Sequence, residues 1–295
     1  MKQWLYVYLQ WLLRELRMRY RASAVGGGWL ILQPVVHILL FTLVFYKFFQ
    51  VRWPVGDGSA TEYGLQVFIG LSLYTFVADV INRAPTSVWS HPYLVTKVRF
   101  PVEMLPMVQV GAAGLQLVLA LLITLPFMLW RGGPHWGVLL LPLYLLPLLF
   151  YVLGLGWLLG SLSVYLRDIV HLAPSVSSLL LFLTPIFYPV SMVPESMRWM
   201  IDLNPLAWAT EAARNVLLSG TVAPWDGWGL HLAVSCVFAT NFGLRRICRM
   251  IGLIARLSSI RYQAVPAPPP KLLTEVSVPF ASVTGWSVSK KYWPS

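Results

Sequence analysis

Five stretches of this chain run for eighteen residues or more without a Lys, Arg, Asp or Glu: Ala22–Tyr46, Met104–Trp130, Gly132–Leu166, Ile169–Pro194 and Gly227–Leu244. A helix of about 18–20 apolar residues, rising about 1.5 Å each, covers the hydrocarbon core of a bilayer. Tyr63–Ala78 is a sixth, shorter case that ends at Asp79. Five such blocks cannot all hide in the core of a 295-residue soluble protein. The charged fraction of 11% is also too low to wet a soluble surface, which carries about 25%. The reading is an all-α integral membrane protein with six transmembrane helices. The N-terminus does not read as a cleavable signal, because no small-residue site follows a short apolar core. Cys236 and Cys248 stand at no metal-ligand spacing, and two cysteines exclude a disulfide framework.

Basic residues set the orientation. With a cytoplasmic N-terminus and six alternating spans, seventeen of the 22 Lys and Arg fall on inner segments. Lys47, Arg52, Arg131, Arg198 and Arg214 remain outside. This bias puts both termini in the cytoplasm. The net charge of +11 then reflects topology and anionic lipid, with no nucleic-acid partner.

The chain divides into an amphipathic interfacial helix over 1–24, a six-helix domain over 25–250, and a cytoplasmic tail over 251–295. On a helical wheel Gln3, Gln10, Arg14, Arg17 and Arg21 share a narrow arc, opposite Trp4, Leu5, Tyr8, Leu9, Leu12, Leu13 and Leu16. Such a helix lies in the membrane interface. It is either a plain topogenic anchor or a device for an anionic lipid headgroup. The fifth span carries Pro185 and Pro189, so it must break where other groups satisfy its carbonyls. The stretch Val193–Gly220 reads as short re-entrant helices at the outer surface. The tail is Pro-rich over Ala264–Lys271 and then aperiodic, which reads as poorly ordered.

Several chemistries have no residues to carry them. There is no G-x-x-x-x-G-K-[ST] loop, and Gly26-Gly27-Gly28 lacks the lysine of a phosphate cradle. No catalytic triad, His-x-x-x-His pair or carboxylate pair occurs at working spacing, so neither an enzyme nor a metal site is expected. Asp79 is the one acidic candidate within the spans, and it is expected to pair with Arg83 rather than carry a proton. Energy must then come from a partner.

Four segments carry a resemblance. Arg19-Tyr20-Arg21-Ala22-Ser23-Ala24-Val25-Gly26-Gly27-Gly28-Trp29 with Gln33-Pro34 resembles the R-Y-R-x-S-x-L-G-x-x-W…Q-P opening of polysaccharide-exporting ABC-2 permeases. Thr96–Pro106 is similar to that family's K-K-V-x-F-P-x-E-x-L-P, and Val164–Asp168 to its N-x-R-Y-R-D turn. Thr184–Pro189, Pro194-Glu195, Asn204-Pro205 and Glu211–Arg214 resemble its S-P-x-x-Y-P…L-P…N-P…E-x-x-R pattern. The likeness spans Met1–Arg249 and departs at Val25, Gly27, Tyr165-Leu166 and the tail.

The resemblance implies a homodimeric permease in the bacterial inner membrane. It pairs with a separate nucleotide-binding ATPase that holds ATP and Mg, while this chain carries no cofactor. The cargo is an undecaprenyl-linked or other lipid-linked polysaccharide of O-antigen, capsule or teichoic-acid type. Arg14, Arg17, Arg19 and Arg21 would meet the carrier pyrophosphate, since the guanidinium fork binds phosphate oxygens bidentately. Coupling to the ATPase would fall on Pro92, Lys97, Arg99, Pro101 and Glu103. Arg167 and Asp168 are either a second contact or a structural turn. Aromatic residues make up 14% of the chain and offer flat faces to sugars. Trp29, Phe41 and Tyr46 on the first span and Phe182, Phe187 and Tyr188 on the fifth are the candidate channel lining. A drug- or lipid-exporting ABC-2 permease shares this layout. An ion-coupled transporter or a membrane-embedded glycosyltransferase is the reading from another class.

Overall fold

A computed structural model describes residues 2–20, 26–48, 59–90, 103–130, 136–221 and 225–241. Arg21, the tail and the segment holding Pro92, Lys97, Arg99 and Pro101 lie outside the described residues. Among the described residues the protein is helical throughout, with no strand.

Helix α1 covers Lys2–Tyr20. After a 3₁₀ turn at Gly26–Gly28, α2 spans Trp29–Phe41 and continues as a π-helical stretch over Thr42–Phe48. The long helices follow: α3 at Ala60–Trp89, α4 at Met104–Trp130 and α5 at Leu141–Tyr165, the last entered through a 3₁₀ turn at Trp136–Leu140. α6 runs over Ile169–Leu183. The short α7 at Arg198–Asp202 and α8 at Pro205–Arg214 precede α9 at Asp226–Ala239. Three helices are long and apolar enough to cross a membrane, over Ala60–Val88, Met104–Pro126 and Gly137–Tyr165. Val35–Val44, Ile169–Leu183 and Gly227–Ala239 are shorter apolar helices. The protein is thus a multi-pass membrane protein.

α3 is the axis of the molecule. Of its most apolar window 83% is buried, against 39% for α4 and 33% for α5. It packs on α4, α5, α6 and α8, and the core built on it contains Ile69, Leu73, Val77 and Val80. Ser59 starts this helix by accepting the Glu62 amide at 3.2 Å, as N-cap residues do. On the other side of the bundle α5 meets α9 at close range. A Cβ on Gly154 would fall 3.1 Å from the Ala239 backbone, so only glycine admits that approach.

α1 has three faces rather than two. Tyr8, Leu12, Glu15, Leu16 and Arg19 turn toward the protein, with the Tyr8 hydroxyl donating to the Met107 carbonyl at 3.5 Å. Leu5, Leu9 and Leu13 are exposed on a second face. Gln10, Arg14 and Arg17 form an exposed polar third. Trp11 carries the Arg14 guanidinium 4.9 Å from its ring centroid.

Candidate functional site

The first cluster lies where α1 meets α3 and α4. Arg14 and Arg17 are exposed, but the Arg19 side chain is only 3% exposed. Its Nη1 donates to Asp79 Oδ2 at 2.7 Å and to Gln116 Oε1 at 3.1 Å; its Nη2 donates to Gln109 Oε1 at 3.1 Å. Glu15, one turn earlier on α1, sits 3.4 Å from Nε. The other oxygen of Asp79 accepts from Arg83 Nε at 2.6 Å, which is the local pair expected from the sequence. Five consecutive positions on a helix turn it by about 500°, so Arg19 stands about 140° away from Arg14. The same helix therefore shows two arginines to the interface and sends one inside.

A cavity of about 200 Å³ opens beside this cluster. Trp29 and His37 from α2, Ser72, Thr75 and Asp79 from α3, and Gln116 from α4 line it.

The second cluster holds the broken C-terminal end of α6. Thr184 ends the helix in extended backbone, and the chain turns through Pro185–Tyr188. The carbonyls freed there accept from Arg214, which is 2% exposed. Its Nη1 donates to Pro185 O at 2.7 Å, its Nη2 to Ile186 O at 2.8 Å, and its Nε to Gln66 O of α3 at 3.0 Å. Glu211 balances the charge at 2.9 Å. A Cβ on Gly70 would lie 2.7 Å from Nη2, so α3 keeps a glycine where the guanidinium passes. Asn204 caps α8 through the Leu206 amide at 3.0 Å and donates to Thr184 Oγ1 at 3.1 Å. Pro205 occupies the first helical turn, where its missing N–H costs nothing.

Aromatic rings gather on this knot. Phe41 meets Phe187 at 4.7 Å between centroids, and Tyr46 meets Tyr63 at 6.0 Å. The Tyr63 hydroxyl donates to Phe187 O at 2.9 Å, and that of Tyr188 to Phe182 O at 2.9 Å. Phe41, Tyr46, Phe187 and Tyr188 are thus brought together from α2 and the turn after α6. Phe182 faces outward at 70% exposure, and Trp29 borders the inner cavity instead.

Arg167 and Asp168 are exposed in the turn between α5 and α6. Asp168 closes that turn through backbone bonds to His171 and Leu172 at 3.0 and 3.1 Å, without a side-chain cap. Glu103 precedes α4, and its carbonyl accepts from Trp157 Nε1 at 3.1 Å. Arg214 was legible as an outer-segment charge and as the arginine of the E-x-x-R likeness, but neither reading gave it the freed carbonyls as partners. Gln109 and Gln116, seven residues apart on one face of α4, escaped the reading altogether.

Comparison with known proteins agrees with this architecture. Residues 7–218 match the ABC-2 type transporter family. The O-antigen export system permease protein RfbA of Myxococcus xanthus is 32% identical over 197 residues, covering 65% of this chain and 73% of that protein. An RfbA of the same description from Klebsiella pneumoniae is 24% identical over 255 residues, covering 85% and 90%. The polysialic acid transport protein KpsM of Escherichia coli is 23% identical over 236 residues, covering 78% and 87%. With a family match across most of its described helices, the chain is a member of the ABC-2 type transporter family.

Proposed function

We propose that this chain is the transmembrane permease subunit of an ATP-driven exporter of lipid-linked polysaccharide, of O-antigen or capsule type. The observation that carries the reading is that relatives aligned along most of the chain are O-antigen permeases or a polysialic acid transport protein. Six spans with both termini cytoplasmic cross the bacterial inner membrane. Two copies pair with two copies of an ATPase subunit, which binds ATP and Mg.

Arg14 and Arg17, exposed on α1, and Arg21 beyond it meet the carrier pyrophosphate at the inner interface. Arg19 fixes the helix that presents them, through Asp79, Gln109 and Gln116. The ATPase engages the segment with Pro92, Lys97, Arg99 and Pro101, flanked by Glu103, together with the turn at Arg167 and Asp168. Closure of the ATPase pair opens a path between the first and fifth spans, along Phe41, Tyr46, Phe187 and Tyr188.

The test is inactivation of this chain in its native cell. Surface polysaccharide is expected to disappear while the lipid-linked polymer accumulates on the cytoplasmic side. Unchanged surface polymer overturns the reading.

A further inference from the structure

The cavity beside Arg19 has a composition that selects its ligand. Its charged neighbours cancel: Glu15 and Asp79 against Arg19 and Arg83. Both Arg19 and Asp79 are already committed to one another and to their neighbours, so the cluster holds no surplus positive charge for a phosphate. What it offers is neutral hydrogen-bonding chemistry. Ser72 and Thr75 line the cavity from α3, Gln116 from α4, and His37 and the 43% exposed Trp29 from α2.

Size narrows the choice. About 200 Å³ lies below the roughly 300 Å³ at which sites for drug-sized ligands begin, so one ring fits rather than several. The neighbouring cavity between α2, α3 and α4 shows the contrast: about 250 Å³, walled by Leu39, Leu65, Phe68 and Ile123, it suits hydrocarbon.

We propose that the cavity beside Arg19 seats the first sugar of the lipid-linked chain, with hydroxyls toward Gln116, Ser72 and Thr75 and one ring face on Trp29. This assignment rests on the exporter reading above. It divides recognition in two: exposed Arg14 and Arg17 take the pyrophosphate, and the charge-balanced cavity takes the uncharged ring next to it. Along α1 the five positions from Arg14 to Arg19 span about 8 Å, so the two parts are neighbours. The Ser72 and Thr75 hydroxyls donate to the Phe68 and Leu71 carbonyls, and Gln116 Oε1 accepts from Arg19. Each of these oxygens keeps a lone pair to which a sugar hydroxyl can donate, and a sugarless lipid forgoes those bonds.

The test uses the full complex with its ATPase in nanodiscs and two probes: polyprenyl diphosphate, and the same lipid bearing one N-acetylglucosamine. The sugar-bearing probe is expected to bind about tenfold tighter to the wild-type complex. Ala120→Phe fills the cavity from α4, and Trp29→Ala removes the ring at its edge. Each is expected to bring the two affinities within about twofold while leaving that for polyprenyl diphosphate unchanged. Arg14→Ala with Arg17→Ala is expected to weaken both probes alike and keep their ratio. Equal binding of the two probes by wild type overturns the sugar seat and leaves the exporter reading standing. So does a ratio that survives both Ala120→Phe and Trp29→Ala in complexes with unchanged thermal unfolding. Failure of both probes to bind the wild type overturns the seat together with the lipid-linked substrate.

Discussion

Arg214 and Arg19 are both buried arginines, yet their partners differ in kind. Arg214 donates mainly to main-chain carbonyls, and Arg19 to side chains. Replacing Arg214 by Met leaves three carbonyls and Glu211 without their donor. An unmet buried group costs about 1–3 kcal/mol, and breaking a buried ion pair about 3–5 kcal/mol. Arg214→Met is therefore expected to lower stability by about 4 kcal/mol, read as denaturant or thermal unfolding of the purified protein in detergent. Gly70→Ala presses the same guanidinium from α3 and is expected to destabilise by about 1–3 kcal/mol. In a double-mutant cycle the two costs should fall short of additive, because the atom closest to the methyl group is gone with Arg214 and only the milder contact with Thr210 at 3.2 Å remains. Additive costs would show that Gly70 serves some other contact. At the α1 cluster Asp79→Asn removes the shorter of two carboxylate contacts of Arg19 and leaves Glu15 at 3.4 Å, and Arg19→Met with Asp79→Asn is expected to be better tolerated than either change alone. Asp79 was the one acid to stand out in the apolar blocks, and its pairing with Arg83 followed from helical spacing. Its second partner did not, because Arg19 lies 60 positions away in the chain.

At the scale of elements, the amphipathic first helix shows where sequence patterning stops. The wheel separated Arg14, Arg17 and Arg21 from the apolar side, and Arg19 fell on that apolar side. A two-faced pattern cannot tell which part of an apolar face meets lipid and which meets protein, because both want the same side chains. The structure divides it: Leu5, Leu9 and Leu13 are exposed, while Tyr8 and Leu12 approach Gly111 on α4. A larger side chain at Gly111 should pry this helix away. Gly111→Leu is expected to raise the reactivity of a cysteine introduced at position 12 by about tenfold, as local opening frees it. Unaltered labelling would mean that α1 is held by its arginine alone. The broken α6 was legible in Pro185 and Pro189, since prolines demand a break. The residue that satisfies the freed carbonyls sits 29 positions on, and no local pattern names it.

At the scale of the whole molecule, run length and charge bias act along the chain without tertiary information: run length located apolar helices, three of them long enough to cross a membrane, while six spans and cytoplasmic termini rest on the sequence alone. The division of labour with a fuel-burning partner is open to measurement. The isolated chain in nanodiscs is expected to show no nucleotide turnover, with ATP hydrolysis appearing only when the ATPase subunit is added. Robust hydrolysis by the chain alone would contradict it. Reporter fusions offer a second check: a cytoplasm-active reporter should work at both termini, and a periplasm-active one only when inserted after α2, between α4 and α5, or between α7 and α9. The central position of α3 has a further bearing on mutation tolerance. Its apolar window is buried far more than those of α4 and α5, so truncations of its side chains leave cavities that no lipid tail can fill.

The guanidinium of Arg214 ties a point on α3, the bend after α6 and the end of α8 into one knot. Such a knot behaves as a rivet: the three pieces it joins travel together or not at all. Any movement of this block must then carry all three pieces at once, with the bending confined to the segments on either side of it.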